Sequence, residues 1–316
     1  MALRATENRE KDSMSLKGFV FGCLAGISYG TNPLGALHLY REGLSPETVL
    51  CYRFGWAVLL LALLLFFSKP KPALSNYTVL DKFRIKKKEL PVLIVLGVLF
   101  AACALTLFAS FNYMSAGLAS TLLFLYPMEV AVIMGLFFKE SLTGKLAVSI
   151  ALSLGGVILL YRGGDGGEAL STVGVLLVFL SSLTYAIYIV VVNRFNPAMG
   201  AVKLTFYVMF FCLMTLLVYS ATLGSGFPPM PANLAQLGWG FMLGLVPSVM
   251  SLVFMAKAVK LVGSTPTAIM GALEPLTAVI IGVVVFGEIL TCRLVVGIIL
   301  ILVAVTLLAI KKQNRK

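Results

Sequence analysis

The sequence predicts an all-α integral membrane protein whose ten transmembrane helices form two inverted five-helix repeats. Three observations carry that prediction. The chain is 59% hydrophobic and only 12% charged, with mean hydropathy +0.99, whereas a soluble domain carries about a quarter charged residues. Its apolar runs are continuous and reach the roughly 20 residues a helix needs to cross hydrocarbon, unlike the alternating ~10-residue strands of a membrane barrel. A stretch of the first half also recurs in the second.

The elements follow in order. Span one, 17–37, carries Gly18, Gly22, Gly26 and Gly30 on one face, a spacing that lets helices approach closely. Tyr29, Asn32 and Pro33 then interrupt it with hydrogen-bonding groups and a kink. Span two, 46–68, holds Arg53 near its outer end, where snorkelling is the default and a counter-ion role for an acid is the alternative. The long connection from Lys69 to Glu89 reads as an amphipathic surface segment. Span three is 90–111.

Span four, 116–138, contains Tyr126, Pro127 and Glu129. A carboxylate at the centre of a span costs about 2.5–3.5 kcal/mol, so Glu129 is expected to face the bundle interior or a water-filled cavity. The bland alternative is a carboxyl tied to backbone freed by Pro127. Tyr126 lies one turn back on the same face, and the proline is tolerable where cavity water or neighbouring groups satisfy the backbone. Glu140 and Thr143 precede span five, 143–161, as caps.

In the second half, span six (171–193) places Tyr185 and Tyr188 in the region matching Tyr29 and Asn32, with a weaker small-residue face of Gly174, Ser182 and Ala186. Span seven is 201–223. Span eight, 234–256, ends at Lys257 and Lys260, read as topology determinants. Span nine, 264–287, has Glu274 directly before Pro275, and Glu288 with Thr291 reads as a cap for span ten, 291–310.

The repeat is visible without gaps. YPMEVAVIMGLFFKESLTGKL set against EPLTAVIIGVVVFGEILTCRL aligns Pro127 with Pro275, an offset of 275 − 127 = 148. ISYG at Ile27–Gly30 matches LTYA at Leu183–Ala186, an offset of 156. The halves are 1–162 and 163–316, and an odd number of spans in each inverts the second copy. Inverted repeats mark alternating-access transporters with a site near the midplane. With the amino terminus inside, 21 of the 25 basic residues fall in cytoplasmic loops and termini, Arg41, Arg162 and Arg293 fall outside, and Arg53 lies within span two. Such asymmetry sets orientation, so both termini are expected in the cytoplasm of a cell (inner) membrane protein. It also accounts for the net charge of +12 without nucleic acid.

The small–aromatic–small turn with a following Asn (SYGTNP), Arg53–Phe54, P…FFKESLT and ALEP…FGEILT together resemble the drug/metabolite transporter superfamily, in particular its EamA-like ten-helix family. The resemblance covers nearly the whole chain. It implies a secondary transporter, an exporter or exchanger of a small organic metabolite such as an amino acid, with multidrug or toxic-cation efflux as the alternative. A departure is Tyr126 where the second copy has Glu274, with the first copy's acid at Glu129.

The candidate substrate-binding residues are Tyr29, Asn32, Tyr126, Glu129, Tyr185, Tyr188 and Glu274, with Glu129 the proton-coupling candidate. No cofactor and no metal are expected. The five cysteines are scattered singly and read as core filling. No Walker, HExxH, CxxC or Ser–His–Asp arrangement points to an enzyme, and a channel or structural component has no need of inverted repeats. The partners expected are a small solute and the lipid bilayer, with a homodimer left open. His38, Trp56 and Trp239 read as bystanders.

Overall fold

A computed structural model describes residues 2–68, 82–139, 144–161, 171–195 and 199–309, and the described chain is all helix with no strand. The first half contains α1 (Ala2–Gly30), α2 (Asn32–Arg41), α3 (Pro46–Phe67), α4 (Leu90–Ser110), α5 (Ala116–Leu123), α6 (Tyr126–Phe138) and α7 (Gly144–Tyr161). The second contains α8 (Thr172–Phe195), α9 (Ala201–Thr222), α10 (Leu234–Leu243), a π-helical segment (Gly244–Met250), α11 (Ser251–Val262), α12 (Ser264–Met270), α13 (Leu273–Phe286) and α14 (Cys292–Ala309). Six stretches are long and apolar enough to cross a membrane: Pro46–Phe67, Leu90–Ser110, Ala116–Phe138, Thr172–Phe195, Ala201–Thr222 and Leu234–Val262. Shorter apolar helices lie at Ala147–Leu159, Leu273–Phe286 and Cys292–Leu307.

Helix starts follow local chemistry. Ser45 caps α3 by accepting the Thr48 N–H at 3.4 Å, and Pro46 opens the helix with a φ already suited to it. Asn233 accepts the Gln236 N–H at 2.7 Å at the start of α10. At the other ends, α6 and α13 stop on left-handed residues at repeat-matched positions, Lys139 (φ 55°) and Gly287 (φ 72°). That conformation turns the chain and satisfies the last carbonyls.

Prolines mark the breaks. A proline cannot donate to the carbonyl four residues back, and at three of the breaks the freed carbonyl accepts from another donor. Pro33 frees the Tyr29 carbonyl, which accepts from Asn32 Nδ2 at 2.8 Å. Pro275 frees Gly271, whose carbonyl accepts the Glu274 N–H at 3.0 Å. Pro247 lies inside the π-helical segment, and Leu243 O accepts from Ser248 Oγ at 3.0 Å. Pro127 sits in the first turn of α6, where a missing N–H is inexpensive.

Packing brings α1 against α11 and α13, α8 against α4 and α6, and α3 against α9 and the π-helical segment. It also joins α4 to α9, α5 to α13 and α7 to α14. The expected glycine face of α1 makes these approaches: a Cβ on Gly26 would lie 2.8 Å from Met270 O, and one on Gly30 2.5 Å from Glu274 O. The core gathers Leu50, Phe54, Leu61, Phe108, Cys212 and Leu243. Large apolar side chains such as Phe137 and Val284, each 76% exposed, form the outer surface that hydrocarbon would cover.

One expectation changes. Span eight runs on to Val262, because the π-helical segment absorbs Pro247 without ending the helix. Lys257 and Lys260 therefore lie within α11, and Lys257 Nζ sits 4.9 Å over the Phe21 ring. The described part of the 69–89 connection, residues 82–89, is tied down by Tyr207 donating to Phe83 O and by Lys203 Nζ donating to Arg84 O at 2.6 Å. Residues 69–81, Glu140, Thr143 and the 162/163 boundary lie outside the described residues.

Candidate functional site

The breaks in α1/α2, α5/α6 and α12/α13 bring polar side chains together inside the bundle. Tyr126 opens α6, and its ring meets Tyr185 of α8 edge-on at 4.7 Å. Tyr185 stacks on Tyr188 at 5.7 Å, and Phe100 of α4 completes the aromatic wall 5.5 Å from Tyr188. Tyr29, Tyr126, Tyr188 and Glu274 all lie within electrostatic range of the Tyr185 hydroxyl. These tyrosines and Glu274 are half-buried.

The sequence-derived residues thus separate into three groups. Tyr29, Tyr126, Tyr185, Tyr188 and Glu274 come together. Glu129 stands one turn away, where its Oε1 accepts from Ser182 Oγ of α8 at 2.7 Å and its Oε2 is buried with no hydrogen-bond partner among the described residues. Asn32 is occupied at the helix break through Nδ2, while its buried Oδ1 has no partner among the described residues.

Arg53 is the residue that sequence reasoning misplaced. Instead of snorkelling it is 2% exposed, because α3 carries it two turns into the bundle against the π-helical segment. Its Nε donates to Ser248 Oγ at 3.0 Å, and the guanidinium lies over Phe54 at 5.0 Å, Phe108 at 5.5 Å and Tyr29 at 5.8 Å. Pro247 is the indirect cause: the carbonyl it frees orients the Ser248 hydroxyl, whose lone pair then receives Arg53. Glu274 lies within electrostatic range of Arg53, and no ion pair joins them among the described residues. A lone arginine two turns into an otherwise apolar helix was the signal available.

Farther along, a cavity of about 440 Å³ is lined by Tyr40, Arg41, Asn112, Ser115, Phe286 and Glu288, among others. Here Thr291 caps its own helix as expected, accepting the Leu294 N–H at 3.3 Å. Glu288 does not. It reaches across to α5 and accepts the Ala116 N–H at 3.2 Å. Burial pushes its carboxyl up, and hydrogen bonds from Ala116, Ser115 and Gly117 work in the opposite sense. His38 donates through Nδ1 to Leu34 O at 2.6 Å and stacks on Trp239 at 4.2 Å. Among the described residues no group of His, Cys, Asp and Glu could hold a metal ion.

Known proteins resemble this chain in sequence and in fold. The sequence profile of the EamA-like transporter family matches residues 16–162 and again 172–310. The chain is 28% identical over 278 residues to "Uncharacterized transporter YdfC" of Bacillus subtilis (strain 168), covering 87% of this chain and 86% of that protein. It is 24% identical over 312 residues to "Uncharacterized transporter YyaM" of the same organism, covering 94% and 97%. One solved structure, named only "Crystal structure of protein", superposes with TM-score 0.59 at 17% identity over 94% of this chain and 96% of that one, a likeness of fold.

Proposed function

The chain belongs to the EamA-like transporter family, and from that premise we propose that it is a secondary transporter, an exporter or exchanger of a small organic metabolite, working by alternating access. In this reading ten spans form two inverted halves, 1–162 and 163–316, in a cell (inner) membrane with both termini cytoplasmic. The halves rock about a recess that Tyr29, Tyr126, Tyr185, Tyr188 and Glu274 would line, and Glu129 is the proton-coupling candidate.

The observation that carries this reading is the symmetry of the packing. Numbering spans one to ten, the contact of one with eight has its counterpart in six with three, and one with nine in six with four. Two with eight corresponds to seven with three, while four with nine and five with ten map onto themselves. Exchange of the halves maps these contacts onto one another, which supports a two-fold repeat. The family profile also matches twice, once in each half. Lys82, Arg84 and Lys203 gather at one end, which agrees with the basic-loop orientation.

Efflux of lipophilic cations is the second reading, favoured by tyrosine rings beside two acids; the buried positive charge of Arg53 weighs against it. Purified protein in liposomes should show saturable flux stimulated by solute on the opposite side. A non-saturable leak would contradict a carrier. Reporter fusions should find Lys82 and Lys316 in the cytoplasm and Gly164 outside, and an external Lys82 would overturn the inverted arrangement.

A further inference from the structure

We propose that residues 82–89 form a docking site for an anionic phospholipid of the adjoining leaflet. Its phosphate meets Arg84, Lys86, Lys87 and Lys88, and its acyl chains lie along the exposed start of α4. The site is separate from the candidate solute recess and does not depend on the transport reading.

The segment is basic by composition and ordered by its contacts. Five of its eight residues are Lys or Arg and one is acidic, a composition that attracts anionic headgroups. Its backbone is clamped onto two helices. Lys82 Nζ donates to Phe66 O at 2.9 Å and to Ser68 O, so this cation serves the end of α3. Tyr207 of α9 donates to Phe83 O, Lys203 donates to Arg84 O at 2.6 Å, and the Phe83 ring meets Phe206 edge-on at 5.6 Å. Phe83 and Ile85 are half-buried, while Arg84, Lys86, Lys87 and Lys88 are exposed. Glu89, the one acid, turns its carboxylate back to accept the Lys86 N–H at 3.0 Å. The side chains of the four exposed cations have no ion pair or hydrogen bond among the described residues. Neighbouring like charges repel one another, and an incoming phosphate relieves that repulsion.

The surface beside the patch says that this anion carries hydrocarbon chains. Leu90 follows Glu89 directly, and Leu90, Ile94 and Phe67 at the end of α3 are large apolar side chains left exposed. Leu90 and Ile94 stand one turn apart on one face of α4. A free phosphate makes no use of that face. A phospholipid covers it with its chains while its headgroup lies among the cations.

The test titrates the detergent-purified full chain with dioleoyl phosphatidylglycerol, dioleoyl phosphatidylcholine and glycerol 3-phosphate, and reads thermal stabilisation. Phosphatidylglycerol should bind about tenfold more tightly than phosphatidylcholine in apparent affinity, and added salt should shrink that preference. Glycerol 3-phosphate, a headgroup without chains, should give no shift at matched concentration. Changing the patch to R84Q, K86Q, K87Q and K88Q together should abolish the preference, and the chain should still fold because these side chains hold nothing. Removing as many cations at the carboxy terminus, with K311Q, K312Q, R315Q and K316Q, should leave the preference intact. The patch charges also help set topology, so Lys87→Gln alone supplies the comparison if the fourfold variant does not insert, with a fall of about fivefold. Equal affinity for the two lipids, an unchanged preference in the patch variants, or the same loss from the carboxy-terminal variant overturns the site. Stabilisation by glycerol 3-phosphate equal to that by phosphatidylglycerol overturns the lipid as its occupant.

Discussion

Two helix crossings, α1 over α13 and α8 over α6, share a register and are filled differently. The repeat offsets pair Gly26 with Ser182, Gly30 with Ala186, Tyr126 with Glu274, and Glu129 with Thr277. In the first crossing glycines bring α1 onto the backbone of α12 and α13, so close that a Cβ at Gly30 would meet Glu274 O at 2.5 Å. Thr277 spends its hydroxyl within its own helix, on Leu273 O at 2.7 Å, and Glu274 stays half-buried. In the second crossing Ser182 replaces a glycine and its hydroxyl holds Glu129 at 2.7 Å. Backbone contact leaves the first acid half-buried at the start of α13; a side-chain contact ties the other to a neighbouring helix.

That contrast can be broken at four places, in descending order of effect. Gly30→Leu drives a side chain into a carbonyl that cannot move aside cheaply, and overpacking typically costs about 1–3 kcal/mol. Folded yield in detergent should fall steeply, and normal yield with normal transport would mean that α1 and α13 do not meet there. Next is Glu129→Gln. The neutral amide is cheaper to bury than a carboxylate, so folding should survive. Initial flux measured against pH should become flat, while Glu42→Gln, at the exposed contact with Asn233, keeps the wild-type profile. A wild-type rate and profile in Glu129→Gln would make that carboxyl structural.

Smaller still is Ser182→Ala, which removes the side-chain hydrogen bond given to Glu129 among the described residues; interhelical bonds of this kind average about 0.6 kcal/mol in membranes. A double-mutant cycle in thermal unfolding with Glu129→Gln should return a coupling of that order, and zero coupling would dissolve the pair. Smallest of all is Thr277→Val. Its hydroxyl serves only its own helix, so stability and transport should stay close to wild type; a large loss would give Thr277 the role assigned to Glu129's side of the comparison.

Much of this architecture was legible in the chain. Continuous apolar runs gave helix limits that agree closely for α3, α4 and α9, and prolines at 127 and 275 located breaks that the helices observe. The glycine spacing foretold the α1 contacts because a missing Cβ is a local property. Arg53 was harder. Its distance from the helix start says how deep it lies along the membrane normal, and nothing in the sequence says that a π-helical segment with Pro247 waits opposite to receive it. The same holds for Glu288, whose partner at Ala116 lies in the other half, so reading outward along the chain assigned it to the next helix. Tyr185 and Tyr188 were found because they match Tyr29 and Asn32 across the repeat, and Tyr126 because it shares a helix face with Glu129, whereas the separation of Glu129 from that cluster depends on the rotation of α6 against α8.

The central claim is that the halves expose the recess to one side at a time. It can be tested with a cysteine-free chain carrying a single reporter, Leu37→Cys in the cavity on the predicted outer side or Phe21→Cys on the predicted inner side, labelled by a membrane-impermeant maleimide. A transported solute should change the two labelling rates in opposite directions. Rates that rise together, or that fail to respond while solute flux is saturable, would contradict alternating access.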